Sequence, residues 1–189
     1  MQEYNVVVET TPGLFEEVLV TDDMTLQQLA EESQDNYKDC IVLANVNGRL
    51  RELNKKVADG STVSFITMTE RDGKRTYRRS VTLLLQKAVE NLWGEGKHVR
   101  VFYSLGEGYY CELENDTIDE AKLHAIYDEM MRLVEADIPI EKNSVKTEEA
   151  EYHFRDRGMK DKERLLHYRR SSRVNLYSLD GLEDYFYGY

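Results

Sequence analysis

The stretch Tyr77-Arg78-Arg79-Ser80 reads as the opening of a helix, with two guanidinium groups and a hydroxyl in its expected first turn. That set suits holding an anion rather than making or breaking a bond. Arginine stays protonated and donates in a fixed fork, so Arg78 and Arg79 can grip a phosphate or a carboxylate but cannot shuttle a proton. Cations at a helix start oppose its dipole, and a bound anion or a facing carboxylate of the same domain would each offset that cost. A second group of candidates is Tyr110 and Glu112, two positions apart on a strand. An aromatic face can stack on any nucleobase. Strand alternation sends one of Tyr109 and Tyr110 to the core, leaving one ring available. Arg78, Arg79, Ser80, Tyr110 and Glu112 are thus the residues expected to face a ligand, with no catalytic or metal-binding set among them.

Other chemistry is poorly served. The histidines His98, His124, His153 and His167 form no i,i+4 pair and have no cysteines at zinc spacing. Cys40 and Cys111 read as buried structural thiols. Gly106-Glu107-Gly108 is half of a glycine-rich loop, but it lies between strands and carries an acid that repels phosphate, so it reads as a hairpin turn. No Gly-x-x-x-x-Gly-Lys-Ser/Thr phosphate loop occurs.

The elements that must position these residues fall into two units. Tyr4–Thr10 and Phe15–Val20 read as strands around Thr11-Pro12-Gly13. Asp22, Asp23 and Thr25 offer caps for a helix over Leu26, Leu29 and Ala30. Cys40–Val46 and Leu50–Leu53 flank Asn47-Gly48, a strong hairpin signal, and Thr62–Ile66 is a last strand. This order, β-β-α-β-β-β, is a ubiquitin-like β-grasp plan over residues 1–68. Residues 69–75 read as a charged linker. A helix over 76–93 follows, with Val81, Leu84, Leu85, Ala88, Val89, Leu92 and Trp93 on one stripe. Strands over 97–105 and 107–113, a helix over 118–136, an extended segment, two further helices and a strand over 173–177 complete an α+β unit, 76–189.

Net charge is −11, which argues against general adhesion to nucleic acid. The charge is uneven. Residues 1–69 carry 12 acids against 5 bases, whereas 155–173 carry eight bases against three acids. No apolar run approaches the roughly 18–20 residues needed to span a bilayer, and the acidic N-terminus lacks a signal peptide's basic start. A cytoplasmic chain is expected, without membrane partners. The aromatic end, Asp184–Tyr189, suggests a fragment cut within a folded segment.

Ala44–Leu53 (ANVNGRLREL) with Asp59-Gly60-Ser61-Thr62-Val63 resembles a TGS domain. The helix Tyr77–Trp93, the segment Val101–Leu113 (VFYSLGEGYYCEL) and Glu135–Ile140 resemble the second N-terminal domain of threonyl-tRNA synthetases. In that family the domain edits mischarged tRNA, and its helix begins with a His-x-x-x-His pair. The aligned positions here are Arg79 and Leu83. A later family cysteine aligns with Phe186, and the histidine after it would lie beyond Tyr189. Glu112 aligns with an acidic pocket position. Editing by the family's route is therefore not expected. The ending Tyr-Phe-Tyr-Gly-Tyr is similar to bacterial nucleoside (uridine) kinases that carry the same two domains ahead of a P-loop kinase. That resemblance implies a non-catalytic regulatory front part, a kinase domain in cis that uses ATP or GTP with Mg, and a nucleoside or nucleotide ligand. The alternative is a tRNA-binding or degenerate editing module, which the charge disfavours. Homo-oligomerisation stays open.

Overall fold

In a computed structural model, residues 2–186 are described, and they form two compact units divided at Arg78/Arg79. The chain is α+β throughout. In the first unit, β1 (Glu3–Thr11), β2 (Leu14–Thr21), α1 (Leu26–Ser33), β3 (Ile41–Val46), β4 (Arg49–Arg51) and β5 (Thr62–Thr67) build one sheet and one helix. The sheet order is β2-β1-β5-β3-β4, with β1 parallel to β5 and the other pairs antiparallel. This is the β-grasp plan. The Thr25 side chain accepts from Gln28 N, and Gln28 Oε1 reaches back to Thr25 N at 2.8 Å, a capping box that starts α1. The helix then buries Leu26, Leu29 and Ala30 against Val6, Val8, Val20, Val63 and Phe65. Asn47 (φ 52) and Gly48 (φ 78) both take left-handed backbone, as a two-residue hairpin turn demands.

The helix expected from Thr76 begins at Arg71, so most of the charged stretch read as a linker is helical. It is α2, Arg71–Trp93. Glu70 explains the start: its Oε1 accepts from Thr67 N at 2.8 Å, and its carbonyl accepts from Lys74 N at 2.8 Å. Gly73, within the stretch read as a linker, instead lets the helix backbone press on the carbonyl of Thr67. A Cβ there would lie 2.0 Å from that oxygen.

The second unit holds most of α2, then β6 (Val99–Leu105), β7 (Gly108–Leu113), α3 (Glu120–Glu135), β8 (Glu141–Lys146), α4 (Thr147–Asp156), α5 (Lys160–His167), β9 (Arg173–Leu179) and β10 (Leu182–Tyr185). β6 and β7 form a two-stranded sheet, and β10-β9-β8 a three-stranded antiparallel one. The β9–β10 hairpin was not expected from the sequence, although Asp180-Gly181, with φ 47 and 82, carries its turn chemistry. Among the described residues, three apolar clusters hold the unit. Val89, Leu113 and Ile126 join α2 to β7 and α3. Leu83, Leu179 and Leu182 join α2 to the β9–β10 hairpin. Phe154, fully buried, centres a third with Leu166, Val174 and Leu176.

Polar contacts tie α2 to its neighbours. Buried Gln86 donates to Lys97 O at 3.0 Å and accepts from Val99 N at 2.7 Å, fixing where β6 begins. Glu90, also buried, accepts from Arg157 at 2.9 Å, with Lys87 beside it at 3.6 Å. Asn91 donates to Glu129 of α3 at 2.6 Å. The Arg132 guanidinium, 2.7 Å away, and then Asn91 hold the Glu129 carboxyl down at about 2, against an ordinary 4.5. A depressed carboxyl stabilises the fold above its unfolded value and loses that contribution as pH falls through the folded one. Thermal melts of Glu129→Gln should therefore decline less steeply than wild type between pH 4.5 and about 2. Parallel curves would remove Glu129 from the acid response. Among the described residues, no helix is long and apolar enough to cross a membrane.

Candidate functional site

A cleft of about 370 Å³ lies within the second unit. One wall is α2, through Thr82 and Gln86, and a second is the start of β6, from His98 to Val101. The turn after α4 and the first residues of α5, Gly158 to Lys162, supply a third, and Asp184 to Phe186 close it. Each wall follows from local sequence logic. Gln86 pins β6 to α2, as described. Gly158, at φ 72, ends α4 in left-handed backbone and turns the chain into α5. Asp180-Gly181 folds β10 back on β9, which carries Asp184 inward.

Asp184 is the most buried charge of the cleft, 4% exposed. Its Oδ1 accepts from Lys162 Nζ and from Tyr185 N, the latter at 2.5 Å. Lys162 also lies 5.7 Å from the centre of the Phe154 ring. On the β6 side, Arg100 pairs with Glu114 at 2.9 Å. His98 lines the cleft with a buried Nδ1 that has no hydrogen-bond partner. Lys160 and Asp161 stand exposed at the rim. The cleft therefore offers fixed charges and one unengaged imidazole nitrogen. A carboxylate already bonded to a lysine makes a poor general base, so the arrangement suits binding more than proton transfer. Among the described residues, no group of three or more His, Cys, Asp or Glu side chains is placed to hold a metal ion.

None of the five residues expected to face a ligand lines this cleft. Arg78, Arg79 and Ser80 are partly exposed on α2, and the Nη1 of Arg79 is buried without a hydrogen-bond partner. Tyr110 and Glu112 lie on β7, where the tyrosine hydroxyl donates to the carboxylate at 2.8 Å. The expectation that one of Tyr109 and Tyr110 enters the core is not met: they are 40% and 39% exposed. Among the described residues, no layer packs over the tip of this two-stranded ribbon, which therefore has no inner face there. Cys40 is exposed rather than buried, while burial pushes the Cys111 thiol up and makes it a weaker nucleophile.

Leu83 and Phe186 meet in one place. Leu83, 1% exposed, packs with Leu179 and Leu182, and Phe186 lies against the same cluster with its ring 6.0 Å from that of Tyr177. Phe186 also forms part of the cleft wall. Sequence reasoning reached Leu83 and Phe186 through the family resemblance, weighed His98 only as a metal ligand, and missed Lys162. The alternation of Lys160 to Lys162 with acids gave no sign of which base turns inward.

No family model matches the chain. It is similar to threonine–tRNA ligases of several bacteria. With that of Syntrophomonas wolfei it shares 27% identity over 135 residues, 71% of this chain and 21% of the ligase. With that of Symbiobacterium thermophilum the figures are 31% over 116 residues, 61% and 18%. With that of Thermotoga maritima they are 28% over 120 residues, 62% and 19%. The chain thus spans about a fifth of the length of the curated relatives it matches.

Proposed function

We propose that this chain is a tRNA-binding module derived from the editing region of a threonine–tRNA ligase, with the reactive side chains replaced by packing. The observation that carries this reading is the shared apolar cluster of Leu83 and Phe186. These are the positions where the resemblance puts a histidine and a cysteine of the hydrolytic set. Neither a leucine nor a phenylalanine can move a proton or attack an ester. Beside them the cleft keeps Asp184, Lys162, His98 and Arg100, enough polarity to bind the end of a tRNA without cleaving it. The similarity to threonine–tRNA ligases over 57–72% of the chain supports the same reading. A β-grasp front unit of TGS type and a cytoplasmic setting go with it.

The nucleoside-kinase reading rests on the ending Tyr-Phe-Tyr-Gly-Tyr, and Tyr187, Gly188 and Tyr189 lie outside the described residues. The relatives compared above are ligases by name, so that reading has only the short motif behind it.

Titration of deacylated tRNA into the chain tests the proposal. Binding is expected with a shallow salt dependence, since net charge is −11 and few phosphates can be neutralised. Lys160→Glu, at the exposed rim, should weaken it several-fold, and mischarged tRNA should keep its amino acid. Absence of binding at low salt, or deacylation above background, would sink the reading.

A further inference from the structure

We propose that the β6–β7 hairpin is a stacking platform for unpaired bases of an RNA strand whose end occupies the cleft. The proposal rests on the tRNA reading above and names a surface that reading does not require. The register between β6 and β7 shifts between Val101 and Tyr103, a bulge with Phe102 as the extra residue. In a regular strand, Phe102 and Tyr103 would point to opposite faces. The bulge breaks that alternation and brings both rings to Tyr110. Tyr103 stacks on Tyr110 with centroids 5.1 Å apart and planes inclined by 15°. Phe102 lies 6.1 Å from the same ring. Phe102, Tyr103 and Tyr110 remain 49%, 56% and 39% exposed. The Tyr110 hydroxyl is held by Glu112, which fixes the ring at the centre of the group.

Arg100 connects this surface to the cleft. Its guanidinium lies 5.9 Å over the Phe102 ring, and the same residue lines the cleft. A strand with its terminal residue in the cleft would pass Arg100 and meet the rings next. Glu112 on β7 and Glu114 just beyond it repel phosphates, so the contact falls to the bases, whose faces carry no charge. Aromatic stacking of this kind tolerates any base and depends little on salt compared with phosphate contacts. It offers an acidic chain a way to hold RNA that generic electrostatics denies it.

The test uses the full chain with whole deacylated tRNA, and with a tetranucleotide of the tRNA 3′ end carrying 2-aminopurine, a base whose fluorescence is quenched by stacking. Wild type is expected to quench the probe. Tyr103→Ala should bind both RNAs roughly 5- to 150-fold more weakly, the range for loss of one base–aromatic stack. Tyr103→Phe, which keeps the ring, should restore binding, and circular dichroism should report the same fold for all three. Unchanged tRNA affinity in Tyr103→Ala would overturn the platform while leaving the tRNA reading intact. A wild-type chain that binds no tRNA would overturn both. Sedimentation showing a wild-type dimer that Tyr103→Ala splits without RNA would make the face a contact between copies, and would overturn the proposal as well.

Discussion

Gly73→Ala is expected to destabilise the first unit by about 3 kcal/mol or more, read as a loss of denaturant midpoint at unchanged slope. The sign is what makes the experiment informative. Within a helix, alanine is ordinarily better than glycine by about 0.5–1 kcal/mol, because glycine has more backbone freedom to lose. Here the added Cβ would fall 2.0 Å from Thr67 O and 2.8 Å from Thr67 C, with Val42 Cγ2 at 3.2 Å. The side-chain methyl of Val42 can give way, but the backbone of Thr67 is the end of β5 and is held by Glu70. Relief would require α2 to lift from the strand that leads into it. A neutral or stabilising Gly73→Ala would show that α2 does not start where the close approach puts it.

Leu83→His has the second large effect. It places the residue type of the threonyl-tRNA synthetase pattern back at its helical position, but into a cluster closed by Leu179 and Leu182. Leu83 is 1% exposed, so the imidazole would lose its water and find apolar neighbours. An unsatisfied buried polar group, added to the lost packing, costs about 3 kcal/mol or more. Chemical denaturation should report that loss, and the variant should still leave mischarged tRNA intact. Near-wild-type stability with new deacylation activity would mean that the cluster is a thin lid over a working site, and the binding-only reading would fail.

Much of the fold was legible because the signals are local. Asn47-Gly48 demands left-handed backbone at two successive residues, and few other dipeptides supply it. The Thr25 cap and the three-and-four spacing of α2 likewise depend on neighbours within one or two turns. The errors arose where a neighbour distant in sequence decides. Residues 71–75 carry a turn-like Asp-Gly, yet Gly73 serves helix packing against Thr67. Alternation predicts one inward ring at Tyr109-Tyr110, but alternation has meaning only where something covers the sheet, and the tip of β6–β7 is uncovered. The β9–β10 hairpin carries its turn signal at Asp180-Gly181, but its second strand is only the four residues Leu182–Tyr185, the shortest run in which alternation can show.

The candidate site divides along the same line. Residue types alone argue against the hydrolytic chemistry that the resemblance implies for its family, since Arg79, Leu83 and Phe186 have no proton to exchange near neutral pH. That much the amino-acid sequence determined by itself, together with the α+β class and the acidic charge that limits phosphate contacts. The tertiary structure decided which polar groups share a cleft. Thr82, His98, Lys162 and Asp184 come from four separate segments, and nothing in the local pattern distinguishes Lys162 from its charged neighbours. Whether Asp184 is a free base or a bound partner depends on a lysine 22 residues away. Burial and pairing are properties of the packed chain, because they are set by which surfaces lose water together.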